Sequence, residues 1–443
     1  MKRILVVGAG PAGMMAAITA AENGASVTLL EKMRRPGRKM LITGKGRCNI
    51  TNAAPVPELI RQFKGNGAFL HSAFAAFDNE DVMRFFEKLG VPVKVERGGR
   101  VFPVSDKAAD CVDAMTARLH ELGVTLRTEA AVKEVQRQDG RAAGVRLVTG
   151  ETIAADAVIL AVGGASYPGT GSTGDGYAMA ERLGHTVTPI LPSLVPLETE
   201  EEWPRAVQGL SLRNVRVKLL VDGEKCEELF GEMMFTHFGV TGPVILSLSR
   251  QAAQALAGHH FVEIEIDLKP ALTQEKLAAR VLRDFEKYQR KQVKNALVDL
   301  LPHRLIPVLI DAAYLDGEAY VHQVTQGERG RLVSALKHLV LTVTRTRPIA
   351  EAIVTAGGVS VREIDPRTME SRIVPRLYFA GELVDVDAFT GGYNLQAAFS
   401  MGVAAGSWSV WNDEEEEAHG TGGDKGDPAD RARGAGEAAH PRG

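Results

Sequence analysis

Residues 3–31 read RILVVGAGPAGMMAAITAAENGASVTLLE, and this stretch decides the fold. Residues 3–8 open with a short apolar run, residues 11–23 carry apolar side chains at helical spacing, and residues 26–31 form a second strand-like run. Together they predict a βαβ opening. Gly8-Ala9-Gly10-Pro11-Ala12-Gly13 sits between strand and helix and matches G-x-G-x-x-G. The first glycine makes the tight turn, the second admits a pyrophosphate to the backbone N–H groups, and the third lets the helix pack close. The helix N-terminus adds orphan donors and partial positive charge. Glu31 closes the second strand 23 residues after Gly8, where a carboxylate accepts from ribose hydroxyls. A glycine-rich turn on a core helix would explain the glycines alone, but it leaves Glu31 without a purpose. A dinucleotide site is the expectation.

The rest of the composition narrows the class. A chain of 443 residues calls for two or three domains. With 45% hydrophobic and 24% charged residues it reads as globular, and a net charge of −3 gives no global pull toward nucleic acid or membrane. Cys48, Cys111 and Cys226 are odd in number and far apart, which argues against a disulfide scaffold, a metal site or a dithiol relay. The basic, apolar start shares features with a secretory signal, but the regularly spaced glycines and the acid-terminated second strand oppose that reading. No apolar run is long enough to span a membrane. Cytoplasmic location is the expectation.

Along the chain, helical periodicity over 57–90 gives way to two short strands in 93–104 and a helix near 106–122. Strands follow at 124–128, 130–136 and 143–148, and ADAVILAVGG (155–164) reads as a buried strand entering a turn. Residues 194–268 alternate like an antiparallel, barrel-like unit. Residues 272–340 are helical, and over 269–347 lysine and arginine exceed acids by six. α/β character returns after 350. The predicted architecture is α/β: a Rossmann-like nucleotide-binding domain in two segments, 1–190 and 351–411. It is interrupted by a β-barrel-like domain (191–271 with 341–350) and a helical insert (272–340), with a disordered acidic tail over 412–443.

The second segment argues for FAD rather than NAD as the resident dinucleotide. LYFAGELVDVDAFTGGYNLQAAFSMGVAAG (377–406) is a strand, an acidic loop and a helix opened by Gly391-Gly392. Flavin domains of the glutathione-reductase type end a late strand in Gly-Asp, and here the pair is Gly381-Glu382, leaving the ribityl-binding acid open among Glu382, Asp385 and Asp387. A helix N-terminus contributes roughly 1 kcal/mol to an anionic flavin edge.

The blocks GAGPAG, KMLITGKGRCNITN, VGGASYPGTGSTGDGY, FTHFGVTGP, VTAGGVSV and FAGELVDVDAFTGGYNLQAAFSMG together resemble the YhiN/BaiN-type flavoproteins, from residue 1 to about 411. These are also catalogued as aminoacetone-oxidase-like or bile-acid-reductase-like FAD enzymes. The resemblance implies a split glutathione-reductase-type FAD domain with an inserted barrel and a small helical domain. It places Val132 beside the adenine, Gly163 and Gly164 beside the cofactor, and TGKGRCNITN (43–52) along the isoalloxazine. Gly44 and Gly46 would permit close approach, and Arg47 and Asn49 would offer hydrogen bonds. Lys32, Lys39, Gly381, Gly392, Asn394 and Leu395 complete the expected cofactor set. Other readings of TGKGRCNITN fail: Gly46 stands where a phosphate loop needs Ser or Thr, the Asn49 sequon is chance in a cytoplasmic chain, and Cys48 has no partner in sequence and reads as buried packing.

No second G-x-G-x-x-G unit with its acid is present, so NAD(P)H is expected as a transient donor docking on the flavin. His237, in FTHFGVTGP, is a candidate proton donor or carbonyl polariser, with a structural histidine as the competing reading. Tyr393, opening the last helix, is a candidate hydrogen-bond donor or an aromatic lid. The basic helical insert reads first as a solvated face and next as an acidic-substrate or NADPH-phosphate surface. Nucleic acid is not expected, because aromatics for base stacking are not interleaved there. The predicted reaction is NAD(P)H-driven reduction of a conjugated C=C in a small carbonyl compound. A small-amine oxidase releasing hydrogen peroxide and a flavin-bearing RNA-binding or regulatory protein are the alternatives. No metal site is predicted, and the sequence does not give the oligomeric state.

Overall fold

A computed structural model describes residues 1–411, so the tail expected to be disordered lies outside the described residues. Strand Arg3–Val7 buries four of its five side chains, as a strand covered on both faces requires. Five parallel strands line up in the order Leu377–Phe379, Ala157–Leu160, Arg3–Val7, Ser26–Leu30 and Thr125–Arg127. The chain's late segment thus supplies one edge of a sheet whose centre is its first strand. A three-stranded antiparallel sheet (Val132–Gln138, Arg141–Leu147, Thr152–Ala154) branches from this unit.

The first helix, Pro11–Glu22, starts with proline at a position where a missing N–H costs nothing. Its residues Ala12–Ala20 are buried without interruption, so the helix is apolar all round and enclosed. The last helix, Tyr393–Ser409, packs on it through small residues. A Cβ at Gly402 would lie 2.5 Å from the carbonyl oxygen of Ala12, and one at Gly406 would lie 2.5 Å from that of Ala16. Only glycine allows the backbones this close.

The chain divides into two compact units, residues 1–190 with those from Val354 onward, and residues 191–353. The second contains a closed antiparallel barrel of Leu197–Thr199, Gly239–Thr241, Glu224–Phe235, Ser211–Val221, Val262–Asp267 and Leu339–Thr346. Helices Gln274–Lys287, Ile306–Ala312 and Gln326–Lys337 fall in sequence between its last two strands. Two corrections apply here. Residues 339 and 340, placed by sequence in the helical insert, open the closing strand. The 15-residue helix Pro243–Ala257 was not anticipated within the alternating region. Val244, Ile245, Leu248 and Ala252 give it a buried face of period near 3.6, which the surrounding two-residue alternation masked.

Candidate functional site

Gly8 has φ +98°, and a Cβ there would lie 2.5 Å from the Ala161 carbonyl oxygen. At Gly10 a Cβ would meet nothing within 4 Å, so the second glycine faces open space. No side chain caps the helix that follows, and its first-turn N–H groups keep their donor capacity. Glu31 accepts from the Ala9 N–H at 2.9 Å through one oxygen and from the Met33 N–H at 2.8 Å through the other. It therefore ties the glycine turn to the end of the second strand. Burial lifts its pKa above the ordinary carboxylate value despite these bonds. Each oxygen retains a second lone pair for a ribose hydroxyl. Ala130 donates to the Glu31 carbonyl at 2.9 Å, which brings buried Val132 to the same end of the sheet. Lys32 is held by Thr173 and Asp175.

The TGKGRCNITN segment is a tight, partly left-handed loop, with positive φ at Gly44, Lys45, Gly46 and Cys48. It meets the start of the last helix. Asn52 Nδ2 donates to the Gly391 carbonyl at 3.1 Å, and Thr51 Oγ1 lies 2.6 Å from Gln396 Oε1. A Cβ at Gly392 would come within 2.3 Å of the Thr51 carbonyl oxygen, so glycine is required where loop and helix touch. No side chain caps the helix at Gly392. Half-buried Tyr393 opens it, and burial, aided by the Glu58 charge, pushes its phenol above the ordinary value. Asn394 closes the preceding loop by bonding both N–H and C=O of Ala388, and Leu395 packs partly buried behind it.

Asn49 and Arg47 behave differently from one another. Asn49 Oδ1 is buried without a hydrogen-bond partner, an acceptor that a bound donor would satisfy. The Arg47 guanidinium is occupied by Glu96 and Asp106 and lies 4.1 Å over the Phe102 ring. It anchors the loop to the neighbouring hairpin rather than reaching outward. Cys48, without a partner in sequence, meets Cys111 from helix Ala108–Glu121, and both thiols are buried and unoxidised.

Beside this loop, Lys39 Nζ lies 2.5 Å from Glu382 and 2.6 Å from Ser166 Oγ. The other Glu382 oxygen accepts from the Thr355 N–H at 2.7 Å and the Ser166 hydroxyl at 3.0 Å. Burial opposes charge on Glu382, but Lys39 and these hydrogen bonds outweigh it and hold the carboxyl below its ordinary range. Gly164 has to be glycine, since a Cβ would lie 2.4 Å from Thr355 Oγ1, and Gly163 turns with φ +76°. Gly381, at φ +78°, puts the Glu382 turn against Ala12 at the start of the first helix. Of the three candidate acids, Glu382 is thus locked in a polar cluster, and Asp387 is buried. Ser166, Thr355, Thr51 and Gln396 were not singled out by sequence; each lay inside a quoted block but drew no notice as an isolated polar residue.

These residues fit FAD. Open space at Gly10, two helix N-termini without side-chain caps, and an orphan acceptor at Asn49 match the pyrophosphate, the anionic ring edge and a ring N–H in turn. His237 lies in the barrel unit, exposed, with its ring edge-on to Phe238. Ser371, His185 and Glu363 form a hydrolase-like chain, with Ser371 Oγ 2.8 Å from His185 Nε2 and His185 Nδ1 3.3 Å from Glu363. Ser371 is buried and accepts the Ile373 and Val374 N–H groups, so the arrangement is a turn staple.

Residues 2–408 match the family described as the HI0933-like protein Rossmann domain. The 3-dehydro-bile acid delta(4,6)-reductase of Clostridium scindens is 32% identical over 92% of this chain and 98% of its own length. The ribosomal RNA dihydrouridine synthase of Escherichia coli is 31% identical over 89% of this chain and 95% of its own. Among solved structures, the 3-ketosteroid delta1-dehydrogenase of Sterolibacterium denitrificans aligns with a TM-score of 0.49 at 14% identity, over 93% of this chain and 100% of that one. No helix among the described residues is long and apolar enough to cross a membrane.

Proposed function

The chain belongs to the HI0933-like Rossmann-domain family and is an FAD-dependent oxidoreductase, and from that premise we propose that it reduces a C=C bond conjugated to a carbonyl, using NAD(P)H. One observation carries this reading. Two relatives matched over nearly their whole lengths are named for a delta(4,6)-reductase and a dihydrouridine synthase. A steroid dienone and a uracil ring share an electron-poor C=C whose β-position accepts hydride.

Bound FAD would supply two-electron hydride chemistry between a dinucleotide donor and the β-carbon of the acceptor. The glycine turn and Glu31 would hold its adenosine and pyrophosphate half. The 43–52 loop, Asn49 and the Gly391–Leu395 helix start would hold the ring. Hydride addition leaves negative charge on the carbonyl oxygen through the α-carbon, and a proton must follow. Tyr393, kept protonated by burial at the start of the last helix, is the proposed donor. Anaerobic mixing with NADPH and with NADH should bleach the flavin absorbance with at least one donor, and a conjugated enone should restore it. Failure of both donors would overturn the reductase reading.

A further inference from the structure

Beside the 43–52 loop, a hairpin turn carries charge that the fold leaves unused. Residues 43–52 and 93–107 hold six lysines and arginines against two acids, a local net of +4 in a chain of net charge −3. Both acids are occupied. Glu96 pairs with Arg47, and Asp106 pairs with Arg47 and, at 2.7 Å, with Lys94. Lys45, Arg97, Arg100 and Lys107 remain, all exposed and without a carboxylate partner among the described residues.

Strands Val93–Val95 and Arg100–Pro103 pair antiparallel, and residues 96–99 turn between them. The Gly99 N–H donates to the Glu96 carbonyl at 3.1 Å, and φ is +80° at Gly98 and +73° at Gly99. A Cβ at Gly99 would lie 2.4 Å from Asn52 Oδ1, so glycine is what admits the Asn52 side chain. Asn52 Nδ2 then donates to the Gly98 carbonyl at 3.0 Å and to the Gly391 carbonyl at 3.1 Å. One amide thus pins the Arg97–Arg100 turn to the glycine pair that opens the last helix, beside the proposed flavin ring. Phe102 holds the turn to the loop: a Cβ at Gly44 would lie 3.1 Å from its ring, and the Arg47 and Arg100 guanidinium carbons stand 4.1 and 5.8 Å from its centroid.

Exposed arginines and lysines take phosphate through charge-assisted hydrogen bonds, arginine in a bidentate fork. The phosphates of FAD are assigned to the Gly8–Gly13 turn, so these cations face a different anion. A pyrophosphate brings two negative charges, and a phosphate monoester adds about −1.5 to −2. Four unpaired cations match the two groups together and exceed what a single carboxylate on a small carbonyl compound would use. The basic helical insert, expected from sequence to take such a phosphate, lies in the other compact unit. The Arg97–Arg100 turn instead shares a unit, and one side-chain amide, with the start of the last helix.

We propose that Lys45, Arg97, Arg100 and Lys107 are the docking site for the phosphates of the nicotinamide donor, and that its 2′-phosphate makes NADPH the preferred donor. This deepens the reductase reading and rests on it for the hydride transfer that follows docking. The test is isothermal titration of the FAD-loaded full chain with NADP+ and with NAD+, neither of which can reduce the flavin. The parent should bind NADP+ at least about tenfold more tightly than NAD+. Arg97→Gln/Arg100→Gln should weaken NADP+ binding at least about tenfold and narrow that preference, and Arg97→Lys/Arg100→Lys should recover part of the loss. Arg97→Gln alone removes a side chain with no hydrogen bond or ion pair among the described residues, so it should weaken NADP+ binding at an unchanged thermal midpoint. In anaerobic stopped-flow reduction by NADPH, the variants should raise the apparent Kd and leave the limiting rate of bleaching unchanged. Equal affinity of the parent for NAD+ and NADP+, variants that bind NADP+ like the parent, or inorganic tripolyphosphate displacing NADP+ on equal terms would each overturn the inference. Arginine-dependent NADP+ binding without bleaching by either NADPH or NADH would sink the reductase reading and spare the docking site. Bleaching with arginine-independent binding would do the reverse.

Discussion

Lys39 and Glu382 stand 343 residues apart and meet at 2.5 Å in a largely buried cluster. Lys39→Met would strand a buried carboxylate, a change that costs about 3–5 kcal/mol. The thermal midpoint should fall accordingly, and Lys39→Met/Glu382→Gln should recover much of it. The pH dependence follows from the depressed Glu382 pKa. Its stabilisation is complete above the unfolded value of 4.5 and is lost as pH falls through the folded one, so the double variant should lack that acid limb. Such pairs were illegible in sequence because nothing local marks a partner hundreds of residues away. The same holds for Cys48 with Cys111 and for Arg47 with Glu96 and Asp106. Gly8 to Glu31 was legible because turn, helix and acid fall within one short, contiguous motif.

The contact between first and last helices is set by Gly402 and Gly406. Gly406→Val would force its side chain against the Ala16 carbonyl, and overpacking of this kind costs about 1–3 kcal/mol. Because both helices begin at the proposed flavin site, the variant should also purify with less bound FAD, read from the ratio of visible to ultraviolet absorbance. Parent-like stability and flavin content would contradict this account. The two helices were readable from small-residue runs and glycine starts. Helix Pro243–Ala257 was not, because its period is submerged among strands that alternate on either side.

At the scale of the molecule, two hydrophobic cores are separate, one in the two-segment unit and one in residues 191–353. FAD bound to the first should stabilise that unit by about 2.7 kcal/mol at a hundredfold excess over Kd. For a unit of this size, roughly 5–10 °C of midpoint shift follows. Calorimetry should show one transition moving with FAD and one standing still, and a single transition moving as a whole would show that the cores melt together. The sequence changes period near residue 190 and reverts after 350, and the two units divide after Ile190 and before Val354.

That split has a consequence in time. Strand Ala157–Leu160 is fully buried, yet its outer neighbour in the sheet is Leu377–Phe379. Roughly 200 residues are synthesised between them, which at about 5–20 residues per second takes on the order of 10–40 s. Throughout that interval the nascent chain holds an apolar, unpaired strand at the rim of a half-built sheet. The bare edge invites chaperone capture or pairing with a neighbouring nascent chain until the last strand and helix emerge to close it.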